Sequence, residues 1–235
     1  MQAPLNINVR NLGITTLFVM KHLYYIFSKG RGAALALALV LSLQCVGQEK
    51  VADVFVAMPD SLLPCLTRNN RLDMVDFAAM AMKAEVTNKF DEPSELTRLT
   101  DSYLCLRVDS SCVVEMKLVS ADTVLADSSA CKVFVLTTVG KDTKCSCLNV
   151  YSGKWLLLAT VDLGKYLDGM VECKNKENDD DRLLLNAVLS SSTVFGRLSE
   201  SDNAVEISPC LSLFTNEEKE VIKKKLLLRT LKINL

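Results

Sequence analysis

The sequence predicts an α+β fold: a largely antiparallel β-sheet meander, with helices before it and one helix after it packed on the sheet. Three observations carry this expectation. Between residues 103 and 159, apolar and polar residues alternate in short runs separated by turn residues, the pattern of successive antiparallel strands. Residues 58–83 (MPDSLLPCLTRNNRLDMVDFAAMAMK) read as two short helices around a polar joint. Near the other end, Thr215 and Glu218 have the spacing of a capping box ahead of Lys223, Lys224 and Lys225.

Residues 48–57 (QEKVADVFVA) form a short lead-in, either a brief strand or an anchor for the terminus. Pro59 suits the first turn of a helix, where no donor is missed, and Pro64 limits that helix to one or two turns. Asn69 or Asn70 is placed to cap the second helix, with Asp73 and Asp76 near its positive end. Its apolar positions Leu72, Val75, Ala79 and Met82 recur at helical spacing, widened by Met74, Ala78 and Ala81. Residues 88–94 read as a loop.

Leu104, Leu106 and Val108, then Val114, Met116 and Leu118, alternate about a turn at residues 109–111, which predicts a hairpin. Residues 121–129 are a polar connection. Residues 131–139 (CKVFVLTTV) have the β-branched, apolar content of a central strand, residues 144–151 return, and residues 155–159 add a fifth strand after a tight turn. Such a meander predicts a sheet with one face buried. Residues 161–171 suit a short helix weakened by Gly164 and Gly169. Residues 172–181 (ECKNKENDDD) read as a charged loop, and residues 183–189, 193–198 and 205–213 as strands. Pro209 marks the last of these as an edge strand or a bulge. The helix from Thr215 follows, and residues 228–235 alternate as a final strand. No sequence repeat relates the two halves.

The chain has 235 residues, 49% hydrophobic and 23% charged, with a formal net charge of −1. This is globular composition. Residues 1–47 contain Arg10, Lys21, Lys29 and Arg31 and no acidic residue. Without them the chain is acidic, and no basic face is evident to bind nucleic acid. Within this leader, a basic segment precedes an apolar run at residues 33–43 and small residues at Cys45 and Gly47. That order predicts a secretory signal peptide cleaved between Gly47 and Gln48, with Met20 read as the true start. The apolar run falls short of the about 20 residues of a membrane span. A buried N-terminal helix is the competing reading. Lipid attachment at Cys45 is a lesser one, because Gln44 and Ser42 do not suit the required pattern. The domain organisation expected is therefore 1–47 as leader and 48–235 as a single α+β domain, with two sub-halves meeting near 172–181 as the variant.

The only histidine, His22, lies in the leader. The exported chain would hold no Ser-His-Asp or Cys-His catalytic set and no His-containing zinc site. Eight cysteines remain: Cys65, Cys105, Cys112, Cys131, Cys145, Cys147, Cys173 and Cys210. Their even number permits disulfides in an oxidising compartment, but their spacing sets no connectivity, and small buried apolar residues are the plainer role. Cys145 and Cys147 would share one strand face, a weak metal or redox signal without further ligands. Glu177 with Asp179, Asp180 and Asp181 lacks the pattern of a calcium loop and reads as a solvated linker. Asp73 and Asp76 are explained by the helix dipole. Tyr151 and Trp155 flank a turn, either as a ligand platform or as packing beneath their own hairpin.

Several stretches resemble a family of uncharacterised exported proteins from Bacteroidales bacteria, built on a domain of unknown function. They are VADVFVAMPDSLLPCLTRNNRLDMVDF (residues 51–77), LTRLTDSYLCLRV (96–108) with EMKL (115–118), and the YSGKW turn (151–155). ISPCLSLFTNEEKEVIKKKL (207–226) is a weaker likeness. The resemblance implies export and an α+β fold. It implies no reaction and no site residues, and the many cysteines depart from the family pattern.

Together these readings give no catalytic, cofactor-binding or metal residue and no cofactor. The function expected is that of a non-enzymatic periplasmic or cell-surface binding or accessory protein. Its partner would be an unknown protein or an envelope ligand, with no nucleic acid and no transmembrane segment after signal removal. A carboxylate-dependent hydrolase acting on glycans and a structural subunit of a surface assembly are the alternatives. The exposed polar joint at residues 67–71 is the first place to look for a role beyond packing.

Overall fold

The computed structural model describes residues 49–120, 131–175 and 177–235. The leader, with His22 and Cys45, and the connection at residues 121–129 lie outside the described residues. An antiparallel sheet of seven strands forms the body, each strand beside its sequence neighbour. The strands are β1 (Glu85–Thr87), β2 (Pro93–Leu99), β3 (Tyr103–Arg107), β4 (Cys112–Ser120), β5 (Cys131–Val139), β6 (Cys145–Ser152) and β7 (Leu157–Val161). The expected hairpin is β3–β4, in a register from Tyr103 opposite Lys117 to Arg107 opposite Val113. Residues 131–139 are the central strand anticipated, paired along their length with β4 and β6.

Two helices cover one face. They are α1 (Val51–Ala57) and α2 (Arg68–Ala79). Val51, Val54 and Phe55 from α1 and Met74 from α2 are fully buried against Leu104, Leu106 and Met116 of the sheet. This differs from expectation in position. The first helix begins at Val51, and residues 60–66 are turns. Val51, Val54 and Phe55 are spaced i, i+3, i+4, so a helix buries all three, whereas a strand would split them between faces. Pro59 and Pro64 leave the following segment without regular donors. The cap of α2 is Thr67, not an asparagine. Its Oγ accepts the Asn70 N–H at 3.1 Å, and Asn70 Oδ1 accepts the Thr67 N–H at 3.0 Å. The helix therefore starts earlier than predicted, and Asp73 and Asp76 lie beyond its first turn. Its inward face is Arg71, Met74 and Ala78, while Leu72 and Met82 are exposed.

The other face is also buried, which corrects the one-sided sheet. After a 3-10 turn (Gly164–Tyr166) come α3 (Leu167–Met170), β8 (Val171–Cys173), α4 (Asp179–Ser191), β9 (Thr193–Leu198), β10 (Ala204–Cys210), α5 (Asn216–Lys225), β11 (Leu226–Leu228) and β12 (Leu231–Asn234). Three strands pair in the order β12–β10–β9, and β8 pairs with β11. This second layer packs Val194, Val205, Ile207 and Ile222 against Phe134, Leu136, Leu148 and Val150 of the main sheet. Residues 49–235 form one compact unit.

Three further expectations change here. Residues 183–189 are the middle of α4, not a strand. Asp181, Leu184, Leu185 and Val188 face inward at helical spacing, and Asn178 caps the helix by accepting the Asp180 N–H at 2.9 Å. The acidic run of residues 179–181 is thus a helix first turn rather than a linker, and Glu172 and Cys173 of the supposed loop lie in β8, which pairs with β11. Strand β10 is central in its sheet, yet Pro209 is tolerated. β12 pairs only with residues 204–207, so Pro209 faces β9 alone. The helix from Thr215 forms as predicted, Thr215 Oγ accepting the Glu218 N–H at 3.2 Å.

Candidate functional site

Alternation along β4 sets up the site. Val114, Met116 and Leu118 face the helices, so Val113, Glu115 and Lys117 face the second layer. On β3, Tyr103 and Cys105 share that side. Strand β9 crosses over them, held close at Gly196, where a Cβ would lie 3.3 Å from Val205 and 3.4 Å from Leu136. The Gly196 N–H donates to Ser146 Oγ at 2.9 Å. Away from this point the layers separate and enclose a cleft of about 610 Å³.

The inner wall of the cleft is ionisable and buried. Glu115 in that wall is 7% exposed, and Lys117, two residues further along the same face of β4 and behind the cleft lining, is 2% exposed. Glu115 Oε1 accepts the Tyr103 O–H at 2.7 Å, and Oε2 accepts the Leu198 N–H at 3.4 Å. Burial raises the Glu115 carboxyl above the ordinary glutamate range, against the lowering by its two donors and by the charge of Arg197. Burial and the facing carboxylate push the Tyr103 phenol up as well. Lys117 Nζ donates to the Glu200 carbonyl at 2.7 Å, and burial lowers its pKa. The Glu200 carboxylate accepts two bonds from Arg98, which hold it below the usual range. The turn after β9 is therefore stapled to the main sheet at both its backbone and its side chain.

The mouth is different. Lys141, Lys144 and Arg197 are exposed there, beside the hydroxyls of Ser110, Ser111 and Thr138 and the ring of Phe195. A cationic rim over a carboxyl with a raised pKa suits a polar ligand carrying negative charge. Glu115 and Glu200 both line the cleft and shift in opposite directions, Glu115 up through burial and Glu200 down through its bonds to Arg98.

The residues singled out in sequence sit elsewhere. The joint at residues 67–71 is a structural clamp. Arg71 is 1% exposed, donates to the carbonyls of Leu66 (2.9 Å) and Met58, and pairs with Asp60 at 3.0 Å. Only Arg68 and Asn69 of that joint are exposed. Tyr151 and Trp155 pack on each other with centroids 5.4 Å apart, and Trp155 Nε1 donates to the Val54 carbonyl at 3.2 Å, pinning the hairpin to α1. The eight described cysteines are free thiols. Cys145 and Cys147 are exposed on β6, and among the described residues no three His, Cys, Asp or Glu side chains gather as metal ligands. Asp181 is buried and paired with Lys225 at 3.0 Å. Asp73 and Asp76 are exposed. Among the described residues no helix is long and apolar enough to cross a membrane.

Sequence reasoning missed Glu115, Tyr103 and Arg197. The one available signal was a glutamate and a lysine two residues apart within a strongly apolar strand. That pattern reads as a solvent face unless a second layer is known.

Comparison with known proteins gives two findings. A family model described as "Protein of unknown function (DUF3256)" matches residues 43–229, which include every stretch on which the resemblance rested. A solved structure, of a domain of an uncharacterized protein from Porphyromonas gingivalis W83, is similar with a TM-score of 0.59 and 19% sequence identity. The match covers 77% of this chain and 91% of that one. At this identity the likeness speaks for the fold alone. No curated protein matches.

Proposed function

The chain belongs to the DUF3256 family of proteins of unknown function, and from that premise we propose that it is an exported, non-enzymatic binding protein of the cell envelope. Its site is the cleft between β3–β4 and β9. The observation that carries this reading is the contrast between the wall and the mouth. The buried ionisable groups are committed to internal partners, whereas Lys141, Lys144 and Arg197 at the rim enter no ion pair among the described residues. The interior is thus built to hold shape, and the free charge is placed where a ligand arrives. Export rests on the leader's basic, apolar and small-residue order.

Fractionation of cells, with N-terminal sequencing of the envelope form, tests export: the expected first residue is Gln48. Cross-linking in intact cells, with wild type and a Lys141→Glu, Lys144→Glu, Arg197→Glu variant side by side, tests the site. The expected result is a captured species lost in the variant. A cytoplasmic protein overturns the reading of export, and capture that is equal in both chains overturns the cleft.

A second reading, a carboxylate hydrolase acting on glycans, is favoured by two carboxyl residues, Glu115 and Glu200, lining one cleft. Release of reducing ends from the cell's own envelope glycans by wild type, and not by Glu115→Gln, would favour it over simple binding.

A further inference from the structure

The edge strand β7 stands apart from the rest of the surface. Among the described residues it pairs only with β6, and its five residues, LLATV, carry no charge. Leu156, just before it, is 68% exposed, and Leu157 and Leu158 are 52% and 50% exposed. Three successive exposed leucines on an open sheet edge are a template for pairing with another strand. The opposite edge is blunted: β1 has three residues and an ion pair between Lys83 and Glu85. We propose that β7 joins two copies of this chain, edge to edge and antiparallel, about a two-fold axis at Leu158.

The register follows from charge. When a strand pairs antiparallel with its own copy, residues opposite each other have a constant sum of numbers. With the axis at Leu158, Leu157 lies opposite Ala159 and Leu156 opposite Thr160 of the second copy, and Lys154, in the hairpin turn before the strand, lies at the end where Asp162 of the second copy leaves it. The interface then has an apolar centre and an opposite-charge pair at each end. An axis at Leu157 sets Lys154 against Thr160, and an axis at Ala159 sets Leu156 against Asp162, so neighbouring registers lose the match. Both charged residues are exposed, and neither enters an ion pair among the described residues, although Asp162 accepts the Gly164 N–H at 2.9 Å.

The backbone of β7 bulges at this axis. Val150 pairs with Ala159 and Tyr151 with Leu157, so β6 leaves Leu158 without a partner. Beside this edge lies an apolar groove of about 430 Å³, lined in part by Leu158, Val161, Leu163, Ile233 and Leu235, which would cover leucines of the second copy. The proposal stands on the sheet edge alone and does not depend on the cleft.

Sedimentation equilibrium of the chain as purified from cells, over a wide concentration range in reducing buffer, tests it. The expected result is a monomer–dimer equilibrium that Leu158→Lys abolishes. Lys154→Glu alone sets acid against acid and is expected to raise the dimer Kd about tenfold or more, and Lys154→Glu with Asp162→Lys restores it. An unchanged far-ultraviolet circular dichroism spectrum of each variant shows that the fold is kept. A monomer at every concentration, a dimer that survives Leu158→Lys, or a charge swap that fails to restore pairing each overturns the proposal. In the first case the irregularity at Leu158 is simply edge protection.

Discussion

Replacing Arg71 by methionine tests whether the joint at residues 67–71 is a clamp. The guanidinium is 1% exposed and supplies the donors for the carbonyls of Met58 and Leu66, closing the turns between α1 and α2. Methionine keeps most of the volume and removes both donors. Each buried carbonyl left without a partner costs about 1–3 kcal/mol. The pair with Asp60, whose side chain is 52% exposed, adds less than about 1 kcal/mol. Relief of the buried charge offsets part of this, since desolvating an ion itself costs several kcal/mol. The net expectation is a loss of about 2–4 kcal/mol for Arg71→Met, with a further ~1–2 kcal/mol for Arg71→Ala from the void it leaves. Asp60→Ala should cost under about 1 kcal/mol. Urea unfolding followed by the sole tryptophan is a suitable assay, because Trp155 bonds to Val54 in the adjoining helix. At about 1.5–2 kcal/mol per molar urea, the Arg71→Met midpoint should fall by roughly 1–2.5 M. A loss under about 1 kcal/mol for Arg71→Met, or one no larger than that for Asp60→Ala, would refute the clamp.

The remaining predictions concern titration, thiols and turns. Glu115 binds its proton more tightly in the folded chain than in the unfolded one, so its contribution is full below the unfolded value near about 4.3 and is lost as pH rises through the raised folded value. Glu115→Gln keeps an acceptor for Tyr103. Its stability relative to wild type should therefore increase as pH rises above about 4 and level off once pH has passed the raised folded value, as read by urea midpoints at each pH. In the native protein Ellman's reagent should modify Cys145 and Cys147 rapidly. The other six described thiols should wait for unfolding, as they are at least partly buried and Cys112 and Cys131 are pushed up to about 11. Gly140 has φ +105°, and a Cβ there would meet the Thr143 carbonyl oxygen at 1.8 Å. Gly140→Ala should cost about 1–3 kcal/mol, while Gly169→Ala, with its nearest contact at 3.6 Å, should be neutral or stabilising by under about 1 kcal/mol in the same unfolding assay.

Much of this molecule is local. The meander from β3 to β7 was legible because side chains on a strand alternate with period two and turn residues punctuate the runs. The helix after Thr215 was legible because its cap lies within one turn of sequence. Residues 51–57 and 183–189 were misread for a shared reason. Short apolar runs satisfy both periods, and only the surface they meet decides which one is buried. The site was the least legible part. Glu115 and Lys117 occupy the positions that a one-sided sheet gives to water, and nothing near them in sequence announces a second layer. Strand β9, some 80 residues later, turns that face into a wall, and the pKa of Glu115 follows from the burial. Period, capping and turn chemistry are properties of neighbouring residues and can be read from the chain. Desolvation is a property of what arrives from far away along it, and only the tertiary structure decided that.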